Sequence, residues 1–185
     1  MKPTRSDMEL MYWGFEPRND GGPDYGLDFL VSEVEGRERD GRRDLPPWDL
    51  SPGYQRASVW SQTQREAFLA HWLAGGHVPP VVLNVPYTGG RNPEETPDSP
   101  VVVIDGKQRI ETLLMFARRQ VEAVFPNGER IAYTDIVPMR HTLKSVRVNY
   151  TRRIQALLYL RLNGGGTPHT ADDLERARLL AEVPT

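Results

Sequence analysis

The chain has 185 residues, with 23 Lys and Arg against 25 Asp and Glu, four His and no Cys, giving a formal net charge of −2 at pH 7. That length suits one domain with an ordinary core; the lack of cysteine excludes disulfides and thiolate metal sites, and the near-neutral charge argues against a wholly basic nucleic-acid binder. No apolar run approaches the ~20 residues of a membrane helix, and Met1-Lys2-Pro3-Thr4-Arg5 has no apolar segment behind it, so the expected compartment is the cytoplasm, with no membrane partner.

Residues 1–24 carry Gly21-Gly22-Pro23 and scattered charges with little periodicity, and are read as a tail or ordered loop; residues 25–185 are read as the domain. Leu27, Phe29 and Val31 alternate, which predicts a short edge strand over 25–34. A charged loop follows, and then Pro46-Pro47 and Pro52-Gly53 lead to Tyr54-Gln55-Arg56. Ser61 opens the clearest helix, ending near Ala74, with Gln64 placed to complete a capping box. Phe68, Leu69, Trp72 and Leu73 form its apolar stripe, and Gly75-Gly76 stops it. Val81–Val85 is a predicted strand, and the Pro- and Gly-rich stretch 86–100 a surface loop.

The run Val101-Val102-Val103-Ile104 predicts a second strand, which meets Asp105-Gly106 and a helix over 107–119 with Ile110, Leu113, Leu114 and Ala117 on its buried face. Two short runs around Pro126-Asn127-Gly128 predict a hairpin, Val146-Arg147-Val148 a third strand, and Thr151–Leu162 a helix with Ile154, Leu157, Leu158 and Leu162 inward. A last helix should start at Thr170. Strands interleaved with helices predict an α/β or α+β domain.

Three clusters carry chemistry. In Asp105-Gly106-Lys107-Gln108-Arg109, a strand, a turn and a helix N-terminus meet, which gathers free N–H groups and a positive dipole end suited to phosphate. Gly106 permits the turn and a close ligand approach; Arg109 offers a planar fork for phosphate oxygens; Gln108 could orient a water or base, and Asp105 a metal-bound water or the arginine. The spacing fits equally well a capping role, with Asp105 as cap and Gln108 completing a box. The second cluster is Tyr54-Gln55-Arg56 through Trp60. Trp60 is expected to pack into the core, whereas Arg56 needs a partner, Asp105 or a phosphate, and Arg65 could extend the same anion site. The third, Arg161-Leu162-Asn163-Gly164-Gly165-Gly166, could wrap a phosphate or simply connect two helices. Between Ile136 and Ala171 there is no acid, yet Arg140, Lys144, Arg147, Arg152, Arg153 and Arg161 all occur, a block that fits a polyanion or a solvated basic face.

Taken in order, these clusters resemble the N-terminal domain of the GmrSD-type modification-dependent restriction enzymes, a family of the ParB/sulfiredoxin-like superfamily whose signature is Asp-Gly-Gln-Gln-Arg preceded by Gln-Arg. The resemblance runs from about Leu45 to Leu180. It implies an α+β ParB-like nucleotide-binding domain, a small mixed sheet flanked by helices, that binds and hydrolyses a nucleoside triphosphate with Mg²⁺ in DNA transactions of restriction or phage-defence type. Asp105, Gln108 and Arg109 would then be catalytic. Tyr54, Gln55, Arg56, Arg65, Gly106, Lys107, Asn163 and Gly165 would bind the nucleotide, and Arg140, Lys144, Arg147, Arg152 and Arg153 would contact DNA.

Lys107 departs from the family pattern, standing where the motif has its first Gln. No HNH-type nuclease segment with a histidine-based metal site occurs in these residues, so DNA cleavage is expected from a separate nuclease subunit. The alternatives are a ParB-like domain that itself cuts, and a non-enzymatic adaptor for DNA or a nuclease.

Overall fold

The computed structural model describes residues 24–36, 46–86, 96, 99–135, 141–163 and 179. The β-branched runs form strands where expected, because branched side chains pack well on a pleated surface. β1 is Tyr25–Gly26, β2 Val81–Asn84, β3 Val102–Asp105, β4 Ala123–Val124, β5 Arg130–Ile131, β6 Thr142–Leu143 and β7 Ser145–Val148. The helices are α1 (Leu27–Glu35), α2 (Gln62–Leu73), α3 (Lys107–Ala117) and α4 (Arg152–Asn163).

The central sheet has the order β3-β2-β7. β2 runs antiparallel to β3, with Leu83 opposite Val103 and an irregularity between Val82 and Leu83, and parallel to β7, with Val82 opposite Val146. The architecture is therefore α+β with a small mixed sheet. Beyond β3, residue 49 bridges to Val102, so the segment before the Pro52-Gly53 turn runs along that edge. Two short antiparallel ladders, β1–β6 and the β4–β5 hairpin, complete the sheet structure among the described residues.

Alternation along the strands splits the core in two. Val81, Leu83 and Val103 face one layer, with Leu30 of α1, Leu69 and Trp72 of α2, and Ile110, Leu113 and Phe116 of α3. Val82, Ile104 and Val148 face the other, with Tyr54 and with Ile154, Leu158 and Tyr159 of α4. The sheet is thus covered on both faces, and β3 hands its chain to α3 between the two layers.

The edge strand expected over 25–34 is a correction. Only Tyr25–Gly26 is extended, and α1 follows at once. Leu27, Leu30 and Val34 are its buried residues, spaced three and four apart. Phe29 and Val31 flank that helical stripe half-buried, and this produced the false alternation. In α4, Leu162 is 40% exposed instead of inward, while Gln155 and Tyr159 are buried. The helix expected from Thr170 and most of the loop 86–100 lie outside the described residues.

Candidate functional site

Gly106 joins β3 to α3 as the N-cap residue, with φ of 96° and no side-chain cap hydrogen bond. That conformation disfavours any residue with a Cβ, and a Cβ at this position would lie 2.3 Å from Val81 Cγ1. The capping role that spacing allowed to Asp105 and Gln108 is not adopted. Asp105 Oδ2 instead accepts from Arg109 Nη2 at 2.6 Å. Gln108 Oε1 accepts from Ser58 Oγ at 3.0 Å, Val59 N at 3.1 Å and Trp60 N at 3.0 Å. At α2 the expected box does form, Ser61 and Gln64 each serving the other's backbone N–H. The two helix starts therefore differ: α2 is closed by its own side chains, whereas α3 presents first-turn N–H groups that have no partner within the helix.

That start of α3 borders a solvent-open cavity of about 210 Å³, lined by Gln55, Arg56, Trp60, Asp105, Gly106, Lys107, Gln108, Arg109 and Tyr159. Arg56 and Arg109, remote in sequence, thus converge on one hollow. Three cations and one carboxylate line it, which biases its potential toward anions.

The cations are not equally available. The Arg109 guanidinium is committed to Asp105 and to the carbonyl of Pro79, with Pro80 O at 3.5 Å. Lys107 is 7% exposed, and its ammonium donates to Ser51 Oγ at 2.8 Å and to Arg56 O at 3.1 Å, with Glu111 at 3.9 Å. Lysine thus holds the Pro52–Arg56 turn where the sequence suggested direct phosphate contact. Arg56 is half-buried, and its backbone N–H donates to the Tyr159 hydroxyl at 3.4 Å.

Gln55 lines the cavity while its Nε2 donates to Ile104 O at 3.3 Å; its buried Oε1 has no hydrogen-bond partner among the described residues. Trp60, expected in the core, is half-exposed on the cavity wall, packed on Phe68 with ring centroids 5.3 Å apart. Tyr159 of α4, 3% exposed, also lines the hollow, and nothing in the sequence around it marks it as a site residue.

Tyr54 and Arg65, also expected at the nucleotide, are turned to other partners. Tyr54 is 3% exposed in the α4-side core, where its hydroxyl donates to Gln155 Oε1 at 3.2 Å. Arg65 reaches Ser58 Oγ at 2.8 Å, behind the cavity wall. Asn163 is the last residue of α4, and Gly165 lies outside the described residues. Of the basic block, Lys144, Arg147 and Arg152 are exposed and Arg153 half-buried, while Arg140 lies outside the described residues. Arg147 Nη2 donates to the Tyr25 hydroxyl at 2.7 Å. Burial pushes the Tyr25 phenol above its ordinary value, and Arg147 pulls against that shift. Among the described residues no group of three His, Cys, Asp or Glu is placed to hold a metal ion. No helix among them is long and apolar enough to cross a membrane.

Residues 38–156 match the family model described as GmrSD restriction endonuclease, N-terminal domain. The match takes in Arg56 and the 105–109 junction but ends before Tyr159 and the glycine-rich cluster, short of the Leu180 expected from the motifs. Comparison with curated proteins and with solved structures gave no match.

Proposed function

This chain belongs to the family of GmrSD restriction endonuclease N-terminal domains, and from that membership we propose that it binds and hydrolyses a nucleoside triphosphate at the β3–α3 junction in the service of a restriction system acting on DNA. The observation that carries the reading is the convergence of Arg56 and Arg109 on the cavity beside the uncapped start of α3. Backbone N–H groups, a helix dipole and two guanidinium groups form a suitable cradle for a polyphosphate. The ParB-like description of the fold belongs to this same proposal.

In this reading the phosphates sit against the Gly106 turn, whose φ of 96° and whose packing on Val81 reserve the position for glycine. Arg56 and Arg109 offset their charge, with Asp105 keeping the Arg109 fork oriented. Lys107 acts one step back by fixing the turn that carries Arg56. Asp105, the one carboxylate lining the cavity and already paired with Arg109, would be the protein group nearest a Mg²⁺ held mainly by the phosphates, and the ion would supply neutralisation of their charge. The basic residues Lys144, Arg147, Arg152 and Arg153 would meet the DNA backbone through salt-dependent, sequence-tolerant contacts, and a separate nuclease subunit would cut.

A second reading, a non-enzymatic anion-binding adaptor, is favoured by one observation: Gln108 Oε1 is already taken by three donors and so is poorly placed to orient a water. Phosphate release from ATP, GTP, CTP and UTP, with and without DNA, separates the two. Turnover of at least one nucleotide supports the enzyme. Binding without turnover leaves the adaptor.

A further inference from the structure

Residues 58–60, which bring Trp60 to the cavity, belong to no helix or strand. Ser58 and Val59 are exposed, and Val59 presents an apolar side chain that is 48% accessible. Apart from the Trp60 ring on Phe68, a short exposed segment of this kind has little packing to hold it, yet the backbone donors of Val59 and Trp60 are satisfied. Val59 N and Trp60 N both donate to Gln108 Oε1, as does the Ser58 hydroxyl. The same hydroxyl accepts from Arg65 Nη2 at 2.8 Å. One side-chain oxygen on α3 and one guanidinium on α2 thus clamp three consecutive residues, and the last of the three carries the indole that lines the cavity.

We propose that Gln108, with Ser58 and Arg65 behind it, is a positioning residue that latches residues 58–60 in place and so builds the Trp60 wall of the cavity. All the bonds that Gln108 makes to the segment are accepted by its carbonyl oxygen; none requires its amide N–H. A carboxylate oxygen accepts the same bonds, so glutamate should replace glutamine in this role and alanine should not. If Gln108 instead worked by donating its amide to a bound anion or water, glutamate would be as damaging as alanine or worse. The inference concerns the order of the wall and stands whichever anion the cavity takes.

Amide hydrogen exchange on the whole chain tests it, because exchange reads local opening residue by residue. In the unaltered protein the Val59 and Trp60 amides should exchange about tenfold or more slower than the free-chain rate. Gln108→Ala should speed both by about that factor, with Val103 and Leu113 still protected as the control for global folding; Gln108→Glu should keep both within about threefold of the unaltered protein. Free-chain rates at Val59 and Trp60 in the unaltered protein would overturn the proposal without any variant. Equal loss of protection in Gln108→Glu and Gln108→Ala would overturn it as well.

Discussion

The Lys107 ammonium donates to the backbone carbonyl of Arg56 at 3.1 Å, so the β3–α3 junction is tied to the segment that carries Arg56. The same ammonium reaches Ser51 Oγ at 2.8 Å, bracketing the Pro52–Arg56 turn from both ends. Lys107→Met keeps the length of the side chain and removes its donors. Leaving the turn's acceptors without this partner should cost about 1–3 kcal/mol of stability, read as a lower urea midpoint, and nucleotide affinity should fall because Arg56 is no longer held. An unchanged midpoint would show that the turn is fixed by other contacts.

Gly106 is constrained twice, by its positive φ and by Val81 at its back. Gly106→Ala should destabilise the chain by about 2 kcal/mol or more from backbone strain and overpacking together. For a domain of this size the melting temperature should drop by roughly 4 °C or more. A variant that melts with the unaltered protein would contradict the geometry of the junction.

Phenols raised above their ordinary value, Tyr25 among them, make stability depend on alkaline pH. Burial pushes Tyr150 up to about 12, and the hydrogen bond to Asp28, with burial behind it, pushes Tyr133 up to about 12. The folded chain therefore keeps both protons where the unfolded chain, with ordinary phenols near 10, releases them. Their contribution is complete below pH ~10 and is lost as pH rises toward ~12. Urea midpoints should decline across that window, and less steeply in Tyr150→Phe and Tyr133→Phe. A slope that neither substitution changes would assign the alkaline loss to other groups.

Lys144 and Arg152 are exposed members of the acid-free basic stretch. Each substitution to Ala should weaken binding to duplex DNA about equally across sequences and lower the slope of log affinity against log salt by about one. Unchanged slopes would remove these residues from the DNA surface.

The junction was legible in the sequence because its signals are local. Four β-branched residues, Asp-Gly and a helical stripe from Ile110 fix β3, Gly106 and α3 without reference to the rest of the chain. The Ser61–Gln64 box was legible for the same reason. The roles of the motif side chains were not. Asp105 as cap and Asp105 as partner of Arg109 have the same spacing, and only the fold decides between them. The commitments of Lys107 to Ser51 and Arg56, and of Gln108 to residues 58–60, join segments far apart in sequence. The strand expected over 25–34 failed because half-buried Phe29 and Val31 imitate alternation beside the true stripe of Leu27, Leu30 and Val34.

The most direct measurement is the thermal shift of the whole chain with ATP, GTP, CTP and UTP in the presence of Mg²⁺, repeated on Arg56→Ala and Arg109→Ala. At a hundredfold excess over the dissociation constant, a nucleotide that binds only the folded chain adds about 2.7 kcal/mol, or roughly 5–10 °C at this size. The account predicts such a shift with at least one nucleotide, and its loss in both variants while each still folds. No shift with any of the four, or an equal shift in the variants, would contradict the claim that the two arginines converge on a nucleotide site.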